Sequence, residues 1–276
     1  MKKNMLMMIG AMALAFAGVT AQAGSVNYSG TTLILNNNVE ANGDTLNTQF
    51  QFIPSFKFDA GWLGAIEYFF NANYTAGGEG AFGLAYDRLR FVVSSPSVKE
   101  WSAKSKFRID YRYTAPLSSA LQMSGSYGTL AVRPVVTLDL GSNFSLMSRT
   151  IISLGLNRNG YAMYSPRSPK FGELDPSKGN ALFSAVEEIF LTYNFTPKFS
   201  ATTYWAPGYT YYGQAKGADE GVNEKALAHQ HVLTYEFNDK YAVEAGIGVE
   251  KVVFNKDFKL FTKASNIYNL DFQVKF

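Results

Sequence analysis

Residues 267–276 read IYNLDFQVKF, and the chain stops on an aromatic. Tyr268, Leu270, Phe272, Val274 and Phe276 occupy every second position, with Asn269, Asp271, Gln273 and Lys275 between them. Alternation at period two puts the first set on one face of a β-strand and the second set on the other. The first face is wholly apolar. Free C-termini are usually solvated and frayed, and this one carries no polar tail.

The other end of the chain narrows the setting. Residues 1–23, MKKNMLMMIGAMALAFAGVTAQA, place Lys2 and Lys3 before an uncharged run and end in Ala21-Gln22-Ala23. That is the layout of a secretory signal peptide with cleavage expected after Ala23, and too short for a membrane-spanning helix with these flanks. One domain is then expected over residues 24–276. Removing Lys2 and Lys3 lowers the formal charge from +3 to +1. Bulk charge therefore names no partner and gives no reason to expect nucleic acid. With no cysteine in the chain, disulfide scaffolds and thiolate metal sites are excluded. No cofactor or metal is expected.

Aromatics are abundant, with 22 Phe, 17 Tyr and 3 Trp, while charged residues make up only 17%. Past the leader there is no long apolar run, so the pattern rejects membrane helices and allows a membrane barrel, whose strands are apolar on one face only. Alternating segments are expected at 26–35, 47–59, 63–74, 82–94, 102–113, 125–140, 144–156, 182–195, 199–209, 227–237, 241–254 and 265–276. The count is about twelve, with ten or fourteen also allowed by the boundaries. The pattern is cleanest in FQFIPSFKF (50–58) and FRIDYRY (107–113). Short connections at 59–62, 140–143, 196–198 and 238–240 alternate with longer polar ones at 36–44, 114–124, 157–181 and 211–226. Short turns at one end and long loops at the other are the habit of an antiparallel up-and-down barrel with its short turns in the periplasm.

With these features together, the sequence resembles the Gram-negative outer-membrane β-barrel family and its porin-like channels. The resemblance rests on the export signal, the strand and turn rhythm of residues 24–276, and the terminal strand with Phe276 and its apolar partners. It implies a bacterial outer-membrane location among lipid and lipopolysaccharide, and passive passage of small hydrophilic solutes. It also implies that Tyr268, Leu270, Phe272, Val274 and Phe276 form the signal read by periplasmic chaperones and the barrel assembly machinery.

Solute preference is sought on the face opposite the apolar one. Lys104, Lys106, Arg108 and Arg112 alternate against Phe107, Ile109, Tyr111 and Tyr113, and Asp110 shares their face. Arg88, Arg90, Arg133 and Arg149 take the same parity in neighbouring segments, giving a basic wall. Glu67, Glu188, Glu236, Glu244, Glu250 and Asp271 are expected to form an acidic wall. Such a lumen carries a transverse field that favours anionic solutes; a closed, salt-bridged structural or adhesion barrel is the competing outcome.

Other motifs carry less. Gly78-Glu79-Gly80-Ala81-Phe82-Gly83 has the G-x-G-x-x-G spacing, but a dinucleotide site needs a parallel strand and a helix on either side. Glu187 beside Glu188 would face lipid on a regular strand, so a β-bulge turning both inward is expected. His229 and His231 share one apolar face and are expected near the extracellular rim, with no third metal ligand nearby. They also raise the outer-membrane lipid hydrolases as an alternative. The His-x-Ser pattern of that family is absent, since His231 stands where Ser is required, and no outward Ser is expected on the following strand. In the longest loop, Arg158, Arg167, Lys170 and Lys178 read as a solvated segment.

Overall fold

The computed structural model describes residues 26–40, 45–59, 61–75, 83–96, 104–117, 125–157, 180–213, 222–254 and 266–276. Among them the chain is all β. In order, the strands are β1 (Val26–Glu40), β2 (Thr45–Phe58), β3 (Leu63–Thr75), β4 (Gly83–Ser94), β5 (Ser105–Pro116), β6 (Ser126–Gly141), β7 (Phe144–Asn157), β8 (Ala181–Thr196), β9 (Phe199–Tyr212), β10 (Val222–Glu236), β11 (Tyr241–Phe254) and β12 (Asn266–Lys275). Each pairs antiparallel with its sequence neighbours, and β1 pairs with β12 to close the barrel. Closure removes both sheet edges, which in hydrocarbon would leave a row of unsatisfied backbone groups.

The terminal strand closes the seam. Val274 lies opposite Leu33 and Phe272 opposite Leu35. Phe276 exchanges two backbone hydrogen bonds with Thr31, at 2.8 and 3.1 Å. Tyr268, Leu270, Phe272 and Phe276 are exposed on the outside, as the alternation predicts. Twelve strands spaced about 4.8 Å and tilted near 40° make a ring about 24 Å across between backbones, wider than a barrel filled by its own side chains.

Turn chemistry fixes the short end. Ser142 and Asn143 both take positive φ, at 50° and 67°, which is the two-residue turn whose twist matches a hairpin. Gly61, at φ 77°, turns the β2–β3 connection. Aromatic rings gather at this end on the outer face: Phe144 on Tyr193 at 4.6 Å, Tyr193 on Phe195 at 4.9 Å, Phe195 on Phe199 at 5.0 Å and Tyr235 on Phe237 at 5.0 Å. That is the composition of a membrane-interface girdle.

Several strands outrun their apolar pattern. β1 continues through Asn36–Asn38 to Glu40, where a loop was expected, because these residues keep register with Asp271, Leu270 and Asn269 of β12 and with β2. β5 runs on to Pro116, and β10 begins at Val222 rather than at Leu227. Backbone pairing continues where side-chain alternation has faded, so the longer connections are shorter than the sequence suggests. The leader, the 78–82 portion of the glycine motif and Arg158, Arg167, Lys170 and Lys178 lie outside the described residues.

Candidate functional site: the lumen wall

Register assigns faces unambiguously. Asp110 is 2% exposed and lies opposite Arg133, while its neighbour Tyr111 is exposed on the outer face. From Asp110, parity carries Lys106, Arg108 and Arg112 inward on β5. Arg108 opposes Val135, which in turn opposes Arg149. Arg112 opposes Val92, which shares its face with Arg88 and Arg90. The arginines of β4, β5, β6 and β7 thus line one side of the interior. Lys104 precedes β5 and sits at the short-turn rim beside Gly141, its carbonyl accepting a hydrogen bond from the Asp139 N–H at 2.7 Å.

Carboxylates interleave with this wall. Arg108 Nε and Arg133 Nη2 donate to opposite oxygens of Asp110 at 3.0 and 3.2 Å. Arg90 pairs with Glu67 at 2.7 Å, and Arg149 pairs with Glu188, which also accepts from Tyr204 at 3.3 Å. Glu67 and Glu188, expected on an acidic wall, therefore belong to the basic one as its flanking counter-charges. Among the described residues, Glu67, Asp110 and Glu188 pair with four of the eight cations, Arg90, Arg108, Arg133 and Arg149, and Asp139 shares the inner face at the Lys104 end. Among the described residues Arg112 has no ion-pair partner, and its Nε is buried without a hydrogen bond.

Two phenylalanines turn inward against the simple rule that aromatics face lipid. Phe69 is buried with the Arg88 and Arg90 guanidiniums 4.8 and 4.6 Å from its ring centre, and Phe190 takes Arg149 at 5.4 Å. Cation–π attraction and stacking hold the guanidiniums against the wall without cancelling their charge. Sequence parity would have placed Phe69 with Glu67; the cue was present but overridden by residue type.

Across the barrel the charge reverses. Glu244 opposes Asp271 on one rung and Thr234 on the next strand, and Glu236 shares that inner face. Asp271 is held by the Asn37 N–H and by Asn269 Nδ2, each at 3.2 Å. Gln230 Nε2 donates to Asn269 at 2.6 Å. Glu250 lies beside the β10–β11 register shift, and its side chain is outside the described residues. β5 and β11 are six places apart in a ring of twelve, hence diametrically opposite. Arg108 and Glu244 are each three residues above the first residue of their strands at the short-turn end, so they face each other at similar depth.

The outer face carries a second polar group. The β7–β8 ladder is continuous from Phe144 opposite Tyr193 to Leu154 opposite Phe183, so the expected bulge at Glu187 does not form. Glu187 points outward and accepts hydrogen bonds from the Ser148 and Thr150 hydroxyls. His229 and His231 are also outward, in the middle of β10 rather than at its rim. Thr203 Oγ1 is 3.2 Å from His231 Nδ1, a hydroxyl partner supplied by the preceding strand, β9.

A closed twelve-stranded antiparallel barrel with a polar, charge-segregated interior and an apolar outer band has the fold of the outer-membrane porins. The NanC porin superposes with a TM-score of 0.55 at 11% identity over 88% of this chain and 100% of that one. The KdgM porin does so with a TM-score of 0.50 at 10% identity over 89% of this chain and 99% of that one. No protein-family model matches the chain, and no curated protein matches its sequence. The likeness lies in the backbone.

Proposed function

We propose that the protein is an outer-membrane channel through which small hydrophilic solutes diffuse passively, with anions favoured. The observation that carries this reading is the excess of inward cations on β4–β7 over the carboxylates that share or flank that wall, Glu67, Asp110, Asp139 and Glu188, facing the acids of β10–β12. Fixed charge on a low-dielectric wall attracts counter-ions and focuses potential along the passage. An anionic group is drawn to the arginine side, and the acidic side orients the remainder of the solute. The test is reconstitution into planar bilayers: stepwise conductance and a reversal potential displaced toward the anion are expected under a salt gradient. A silent barrel would instead match an interior closed by its own ion pairs.

One contact favours a second reading, lipid hydrolysis, namely the outward Thr203–His231 pair. A nucleophile needs a base that is itself oriented, and among the described residues His231 has no carboxylate partner. The non-enzymatic reading is therefore preferred. Ester hydrolysis in detergent by the wild type, lost in Thr203→Ala, would reverse that preference.

A further inference from the structure

Glu187 stands on the lipid side of a regular ladder, and among the described residues its partners are the Ser148 and Thr150 hydroxyls. Two neutral donors do not cancel a charge, and a carboxylate at mid-depth in hydrocarbon is costly. The group nearest in character is His229, which also points outward. Within one barrel the two are separated by β9, about 10 Å at ordinary strand spacing, so they do not meet. His231 is engaged by Thr203, whereas the His229 ring makes no hydrogen bond among the described residues and only lies edge-on to His231.

Depth and order around the ring supply the missing link. Glu187 is eight residues above Phe195 on β8, and His229 is eight residues above Phe237 at the foot of β10. Both phenylalanines belong to the exposed aromatic ring at the short-turn end, so the acid and the imidazole lie at matching depth. All copies insert with the same polarity, so a two-fold axis relating two barrels must run along the membrane normal and must preserve depth. Placed over β9, such an axis sets β8 of each barrel against β10 of the other, and the same pair of contacts forms twice. Outward Trp205, paired on its rung with His229, then lies close to the axis as a central aromatic anchor.

We propose that the outer face of β8–β10 is the interface of a homodimer in which Glu187 is completed by His229 of the partner subunit. Interfaces in lipid gain from polar pairing because lipid tails offer none. The proposal rests on the membrane setting of the barrel and not on its conducting solute.

The chain has no cysteine, so introduced thiols are unambiguous. Glu187→Cys and His229→Cys are made as separate variants and co-expressed, and outer membranes are oxidised. A disulfide-linked dimer is expected from the mixture, several-fold above either variant alone and above the pair Leu33→Cys with Leu270→Cys at the β1–β12 seam, outside the proposed interface. Sedimentation of untagged wild type in lipid-containing particles is expected to give a dimer, with association weakened about tenfold in Glu187→Gln, the equivalent of about 1.4 kcal/mol. Cross-linking no greater than in the control pair, equal self-linking of Glu187→Cys, or a monomeric wild type overturns the proposal. A lipid headgroup bound at Glu187 would leave the wild type monomeric. Conductance is not part of the readout, so an inactive channel leaves this test intact.

Discussion

Asp110 serves two arginines with one carboxylate, and it is among the most deeply buried side chains of the described structure. Removing its charge leaves Arg133 without its counter-ion in a site 9% exposed. Breaking a buried pair from one side costs about 3–5 kcal/mol. Asp110→Asn is therefore expected to lower the urea midpoint of the folded barrel measurably, while the surviving channels become more anion-selective. At the seam, Phe276 supplies both backbone bonds to Thr31 and its exposed ring. Phe276→Ser keeps the backbone and removes the ring, so it separates strand closure from recognition by assembly factors. If the ring is the docking feature, export continues and unassembled protein accumulates in the periplasm, seen as loss of the heat-modifiable band. Normal assembly of Phe276→Ser would reduce the terminal motif to an ordinary strand.

Strands here are specified by alternation but shaped by a few glycines. Gly128 in β6 has φ 133° at a register shift, and a Cβ placed there would lie 2.4 Å from the Thr114 carbonyl oxygen and 2.9 Å from the Tyr113 ring. Tyr113 covers the site from the outer face and donates to the Tyr127 carbonyl at 2.6 Å. Such covering of a glycine by a cross-strand aromatic pins register. Gly128→Val combines an unfavourable φ with a backbone clash, so destabilisation of about 1–3 kcal/mol is expected, read from urea unfolding of the purified barrel. Stability equal to the wild type would show that β6 can re-register without the bulge.

Around the whole ring the interior divides into sectors: cations on β4–β7, the tyrosine and hydroxyls of β8–β9, acids on β10–β12, and amides such as Gln49, Gln51 and Asn71 on β2–β3. Lys106 and Arg108 are the exposed members of the basic sector on β5; Arg108 is 44% exposed despite its ion pair. Changing both to Glu places negative charge opposite Glu244 and removes the attraction at that depth. The reversal potential is expected to move toward cations, and because Asp110 keeps Arg133 but loses Arg108, a lower urea midpoint is expected alongside. Charges lining an aqueous passage are screened by salt, so the shift is expected to shrink between 0.1 M and 1 M as the screening length falls from about 10 to about 3 Å. Selectivity indifferent to the double change in an open channel would exclude the basic wall as its source.

Period-two alternation was enough to determine the class, the strand order and the face of nearly every charged residue, because one face of each strand meets an apolar surround and the other does not. Val26, Leu63, Phe144, Phe199 and Tyr241 begin strands as expected. The sequence could not show which charges share a rung, since pairing depends on register between segments distant along the chain. That is why Glu67 and Glu188 move from the acidic wall to the basic one. Nor could it show that Phe69 and Phe190 turn inward to carry arginines, because residue type alone assigns an aromatic to lipid. Glu187 is the sharpest case. Local cost argued for a bulge, yet the unbroken β7–β8 ladder keeps the carboxylate outside, where hydroxyls from the neighbouring strand reach it. Strand identity is a local property of the chain; which side chains meet is decided by ring closure and register.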